Sequence, residues 1–181
     1  RLTILWLAPF LIVSLVVFSI LSPQKKKKKV ILFSLASVIL AVLLSAFYWL
    51  PAIFEMTYTN VRSQVGGGAD FRDHFVCLPQ LWESQWGFGG SVKGCVDGLS
   101  FRIGKVHLLL VLLAMPLVIL TKEKKVKAGI VLGITFFIIA TFMISPISTF
   151  LWSLIKPLEF IQYPWRFLSI ISLSLSFVGA S

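Results

Sequence analysis

Carboxylates are scarce in this chain: seven Asp and Glu stand against seventeen Lys and Arg in 181 residues, and charged residues of both signs make up only 13%. Soluble domains carry about a quarter, so a water-exposed globular fold is excluded. Histidine and cysteine are scarcer still, with two of each. A structural zinc site takes four such ligands, so the two cysteines alone make none. Glycines cluster at Gly87, Gly89 and Gly90, but no Lys-Ser/Thr pair follows and no strand precedes, so this is not a phosphate-binding loop. The net charge of +10 comes without interleaved arginines and aromatics, the pattern that binds single strands. Nine of the seventeen cations are instead lysines in two runs, residues 25–29 and 122–127. Short basic runs between apolar segments are topology signals, and no nucleic-acid partner is expected.

Apolar residues fill the remainder, 57% of the chain, with a mean hydropathy of +0.93. The expectation is an all-α polytopic integral membrane protein with the lipid bilayer as its partner. About five transmembrane helices are expected from the length a span requires, at residues 2–21, 30–50, 106–120, 128–147 and 165–181. The third is short, and Lys105 and Lys122 can snorkel from its ends. Residues 51–105 form one long loop, and residues 148–164 an interfacial segment on the same side. The first segment lacks a small-x-small cleavage site before the lysines, so it is not read as a signal peptide. Beginning at Arg1 and ending at Ser181 inside apolar runs, the chain reads as a piece of a longer membrane domain.

The positive-inside rule puts both lysine turns in the cytoplasm, and loop 51–105 is then extracytoplasmic in the cell membrane. Trp6, Trp49, Trp152 and Trp165 fall at the predicted outer ends, where aromatic belts sit. The plan of span, lysine turn, span occurs twice, at residues 2–50 and 106–147. A parallel internal repeat and the topology rule alone both generate it.

The outer loop gathers most of the chemistry. Cys77 and Cys95 either bridge in an oxidising compartment or remain free thiols; a bridge is worth roughly 3 kcal/mol by loop closure. Asp70, Asp73 and His74 fall within one turn if helical, so that they can hold a divalent cation or supply a general base. The competing reading pairs these carboxylates with Arg62 or Arg72. Trp82, Trp86 and Phe88 are either a sugar-stacking platform or apolar feet on the bilayer, and Gly66 to Gly68 allow close backbone approach. His107 reads as interfacial. In the second outer segment stand Glu159, Gln162 and Arg166. An arginine in the first turn of a span can reach a lipid phosphate with a bidentate fork, or serve as an anchor. Ser169, Ser172 and Ser176 read as a helix-packing stripe. No ionisable group lies at mid-span, which counts against a transporter or flippase.

Two stretches, LPQLWESQWGFGGSVKG with DGLSFRIGKVHLLL, and PLEFIQYPWRFL, resemble bacterial membrane proteins carrying the membrane domain named as related to 6-pyruvoyl-tetrahydropterin synthase. That domain is grouped with the GT-C glycosyltransferase clan. The name implies no pterin chemistry, because the soluble synthase binds zinc through three histidines and only His74 and His107 are present. The resemblance implies a GT-C-like core transferring a sugar from a polyprenyl-phosphate donor at the outer face. It implies an acidic residue or pair in a first outer loop, before Arg1, as base and metal ligand. Trp86, Glu159, Gln162 and Arg166 are then candidates for substrate or lipid-phosphate binding. A non-catalytic membrane assembly or lipid-binding protein is the alternative.

Overall fold

Lysine and leucine are good helix formers, and long runs rich in them favour coiling of the backbone. A computed structural model describes residues 3–58, 70–159 and 161–180, and among these the regular elements are helices alone. Arg62 and the glycines at 66–68 lie outside the described residues, as does the side chain of Trp6. The chain divides into two compact units, Thr3–Gln64 and Val65–Ser181.

In the first unit α1 (Thr3–Leu21) and α2 (Gln24–Leu44) are joined through Ser22 and Pro23. The lysine run does not form a turn. Pro23 is extended, with ψ 142°, and the helix begins at once behind it, so Lys25 to Lys29 occupy its first turns. The second predicted span is broken at Ser45, and α3 (Ala46–Phe54) continues past Pro51 instead of ending there. Ser45 Oγ and Trp49 Nε1 both donate to the carbonyl of Val42, each at 3.0 Å, which ties the two helices across the break. Large apolar side chains such as Leu32, Phe33 and Leu43 remain exposed along α2.

The second unit is built on α7 (Lys124–Ile144), which packs along α10 (Leu168–Gly179), with α5 (Lys105–Ala114) against α10 as well. Gly129 and Gly133 are buried on α7. A β-carbon on Gly133 would lie 3.2 Å from the carbonyl oxygen of Ser174 and would strike Val178, so the missing side chain permits the approach. On α10 it is Ser174 that is buried; Ser169, Ser172 and Ser176, the predicted packing stripe, are exposed. The third predicted span is two pieces, because Pro116 offers no N–H and clashes with the preceding turn. α5 stops at Ala114 and α6 (Leu117–Leu120) follows.

Among the described residues one helix, Lys124–Ile144, is long and apolar enough to cross a membrane, and its 21 residues span roughly 30 Å. Shorter apolar helices cover Ala8–Leu21, Lys105–Leu120 and Pro164–Gly179. After α7, Ser145 and Pro146 turn the chain into α8 (Thr149–Leu154). That turn buries Trp152 completely, with Nε1 donating to the Met143 carbonyl at 3.1 Å. Trp152 is therefore a core residue and not the interfacial anchor expected from its position.

Candidate functional site

The segment that opens at Asp70 is locked onto α7 before any of its polar groups are placed. Asp70 accepts from the backbone N–H of Arg72 at 2.9 Å and so caps the short 3₁₀ turn Phe71–Asp73. Phe71 stacks on Trp152 at 5.4 Å and Phe75 meets the same ring edge-on. The N–H of Val76 then donates to the carbonyl of Ile144, the last residue of α7, at 2.9 Å. These contacts fix where the following lobe, residues 77–104, can sit.

Inside the lobe one carboxylate organises the backbone. α4 (Leu78–Trp82) presents Gln80, whose Oε1 accepts from the Cys77 N–H at 2.8 Å and whose Nε2 donates to Asp97 at 2.8 Å. Ser84 Oγ donates to the same Asp97 oxygen at 2.7 Å, and the N–H of Gln85 reaches the other at 3.3 Å. The hydrogen bond from Ser84 first, then that from Gln80, holds the Asp97 carboxyl below the ordinary carboxylate range, against a smaller desolvation effect. Ser84 Oγ also accepts from the N–H of Phe101 at 3.2 Å, so the two limbs of the lobe share one polar hub. Cys77 and Cys95 are joined in a disulfide with their Cα atoms 5.5 Å apart.

The lobe meets the segment that leads into α10 through Ser91. Its hydroxyl lies 2.7 Å from His74 Nδ1 and accepts from Trp165 Nε1 at 3.1 Å. The His74 ring packs on Tyr163 at 4.7 Å between centroids, and Tyr163 lies 5.7 Å from Trp165. Tyr163 in turn sits 4.9 Å beneath the guanidinium of Arg166, which donates to the carbonyl of Ile161 at 3.0 Å. Gln162, between those two residues, has φ +65°, a left-handed conformation a non-glycine residue rarely adopts. The strained turn folds Ile161 back towards Arg166, and strain of this kind gathers at functional sites.

The predicted cation ligands do not assemble. Asp70 pairs with Arg72 at 3.2 Å, Asp73 pairs with Lys93 at 3.1 Å, and His74 turns to Ser91. Among the described residues no group of three His, Cys, Asp or Glu side chains is arranged to hold a metal ion. The physical reason is that the Phe71–Asp73 turn is 3₁₀ and buries His74, so the three side chains leave in different directions. Glu159 is half-buried, and Arg166 belongs to neither ion pair found among the described residues. Trp86 takes no part in the aromatic cluster and is 75% exposed. His107 is exposed on α5, its ring lying over Gly104.

Three residues that shape this region, Ser91, Tyr163 and Asp97, carry no obvious signal in the sequence. Gln80 and Ser84 share Asp97 as a partner although Ser84 lies beyond the end of α4. Chemically, the region offers a guanidinium preset by a carbonyl and a ring, with fork donors left over for two oxygens of an oxyanion. Compared with family models, curated proteins and solved structures, the chain matches none.

Proposed function

We propose that this chain is part of a polytopic membrane protein of the GT-C glycosyltransferase kind, and that Arg166 receives the phosphate of a polyprenyl-phosphate sugar donor at the outer face. The membrane half of the reading is supported by the apolar composition, the length of α7, and the large apolar side chains left exposed along α2 and α5. The lysine runs then lie in the cytoplasm and residues 51–105 and 148–164 outside. The donor is inferred from the resemblance, drawn from the sequence alone, of residues 78–94, 97–110 and 157–168 to the GT-C-grouped membrane domain.

The observation that carries the proposal is the Arg166 guanidinium, held by Ile161 and Tyr163 without a carboxylate partner among the described residues. In sugar transfer an acceptor hydroxyl attacks the anomeric carbon while the bond from that carbon to the phosphate oxygen breaks, and the electron pair leaves with the phosphate. A fixed cation beside that oxygen stabilises the charge as it develops. No base is assigned to this chain. A non-catalytic lipid-binding protein would use the same contact.

Polyprenyl-phosphate binding by the full-length protein in detergent tests the contact. Arg166→Lys keeps the charge but loses the fork, so affinity falls by about 1 to 2 kcal/mol, roughly tenfold. Arg166→Ala falls further. Equal affinity in all three proteins eliminates the phosphate site. Release of sugar from a labelled donor then separates the transferase from the binder.

A further inference from the structure

We propose that the loop tip carrying Trp86 and Phe88 docks into the outer leaflet of the phospholipid bilayer, holding the lobe on the membrane surface next to α5. The inference rests on the membrane reading above. Phe88 is fully exposed and Trp86 75% exposed, which on a free loop would favour collapse of the rings onto the protein.

The backbone opposes that collapse. A β-carbon on Gly87 would lie 2.7 Å from the carbonyl oxygen of Gly98, and one on Gly89 3.2 Å from it, so the two limbs of the tip approach closely. Asp97, one residue before Gly98, grips the N–H of Gln85 and the hydroxyl of Ser84. The tip is clamped at both ends of the ring-bearing segment, and Phe88, between the two packed glycines, has only the outward direction left.

The occupant is argued from what adjoins the tip. At the foot of the same lobe Lys105 Nζ lies 5.0 Å over the Trp82 ring, and Lys105 is the first residue of α5. Beyond it Val106, Leu109, Leu112 and Leu113 are all exposed, so an exposed aromatic ring and a cation cap an exposed apolar helix face. A tryptophan with a snorkelling lysine at the end of an apolar helix is the arrangement of the headgroup layer. Arg102 adds a second exposed cation that suits anionic headgroups. Between the two rings of the tip stands only Gly87, which offers no side chain to hydrogen-bond a glycan.

The test places an environment-sensitive fluorophore on Phe88→Cys in the full chain, reconstituted in nanodiscs of phosphatidylcholine with some phosphatidylglycerol. Because Phe88 is fully exposed, the substitution removes no packing. A second probe on Leu112→Cys, on the exposed face of α5, reports membrane insertion independently. A lipid carrying a nitroxide near its headgroup is expected to quench most of the emission at Phe88, with access to aqueous iodide reduced severalfold from that of free dye. If Leu112 is quenched while Phe88 stays open to iodide, the tip does not dock and the membrane reading stands. If neither is quenched, the membrane reading fails and the docking with it. Shielding of Phe88 that appears only on adding soluble oligosaccharide overturns the proposal in favour of a sugar platform.

Discussion

Trp165 donates its indole N–H to the hydroxyl of Ser91 at 3.1 Å, joining two points 74 residues apart in the sequence. The same hydroxyl meets His74, so one small side chain links the lobe to the segment that carries Arg166. Ser91→Ala is expected to destabilise the protein by about 1 to 2 kcal/mol, the range for losing part-buried hydrogen bonds. Trp165→Phe removes the donor of the same hydrogen bond, and the double variant should cost clearly less than the sum. Unfolding in detergent, followed for both singles and the double, gives the coupling; strict additivity would show that the contact carries no stability.

Asp97 makes the stability depend on pH in a predictable direction. Its folded pKa lies below the free value of 3.8, so the unfolded state binds the proton more readily. The contribution is present above the free value and is lost as pH falls through the folded one. Comparison of wild type with Asp97→Asn should give a stability difference that is constant near neutral pH and shrinks only in strong acid. A difference that grows on acidification would overturn the assignment.

The Cys77–Cys95 bridge closes a segment with a sequence separation of 18. Loop closure of that length is worth about 3 kcal/mol. Reduction is expected to lower the unfolding midpoint of the lobe and to open residues 78–94 to protease while α7 and α10 remain protected. Proteolysis with and without reductant, read by mass spectrometry, checks both halves.

Two glycines in the same loop give opposite expectations. Gly90 has no atom near the place a β-carbon would take, whereas one on Gly98 would collide with the Gly90 carbonyl oxygen. Gly90→Ala should therefore be neutral within about 0.5 kcal/mol. Gly98→Ala requires the backbone to move, with a loss of about 1 to 3 kcal/mol. Thermal midpoints of the two variants, side by side, decide whether the tip is clamped as described.

Helical class was legible in the sequence because the apolar runs are long, and a helix pairs the backbone groups of such a run within itself. The ends of those helices were less so. Pro116 split a segment read as one span, yet Pro51 sits inside α3. Trp152 shows the same limit: at a predicted membrane end by count, it is buried because the Ser145–Pro146 turn folds it beneath Phe71 and Phe75.

By itself the sequence determined composition-level properties: an all-helical chain, an apolar surface too large for its few charges, and one glycine-rich segment holding both cysteines. These follow from local preference and from the cost of placing apolar groups in water, which need no knowledge of distant residues. Tertiary structure decided which polar groups meet. Asp70, Asp73 and His74 are neighbours in sequence and part in space; Ser91, Trp165 and His74 are far apart in sequence and share one hydroxyl. Side-chain hydrogen bonds form over about 3 Å, and only the packing of Phe71, Phe75 and Val76 on the end of α7 and on Trp152 brings the chain to within that distance.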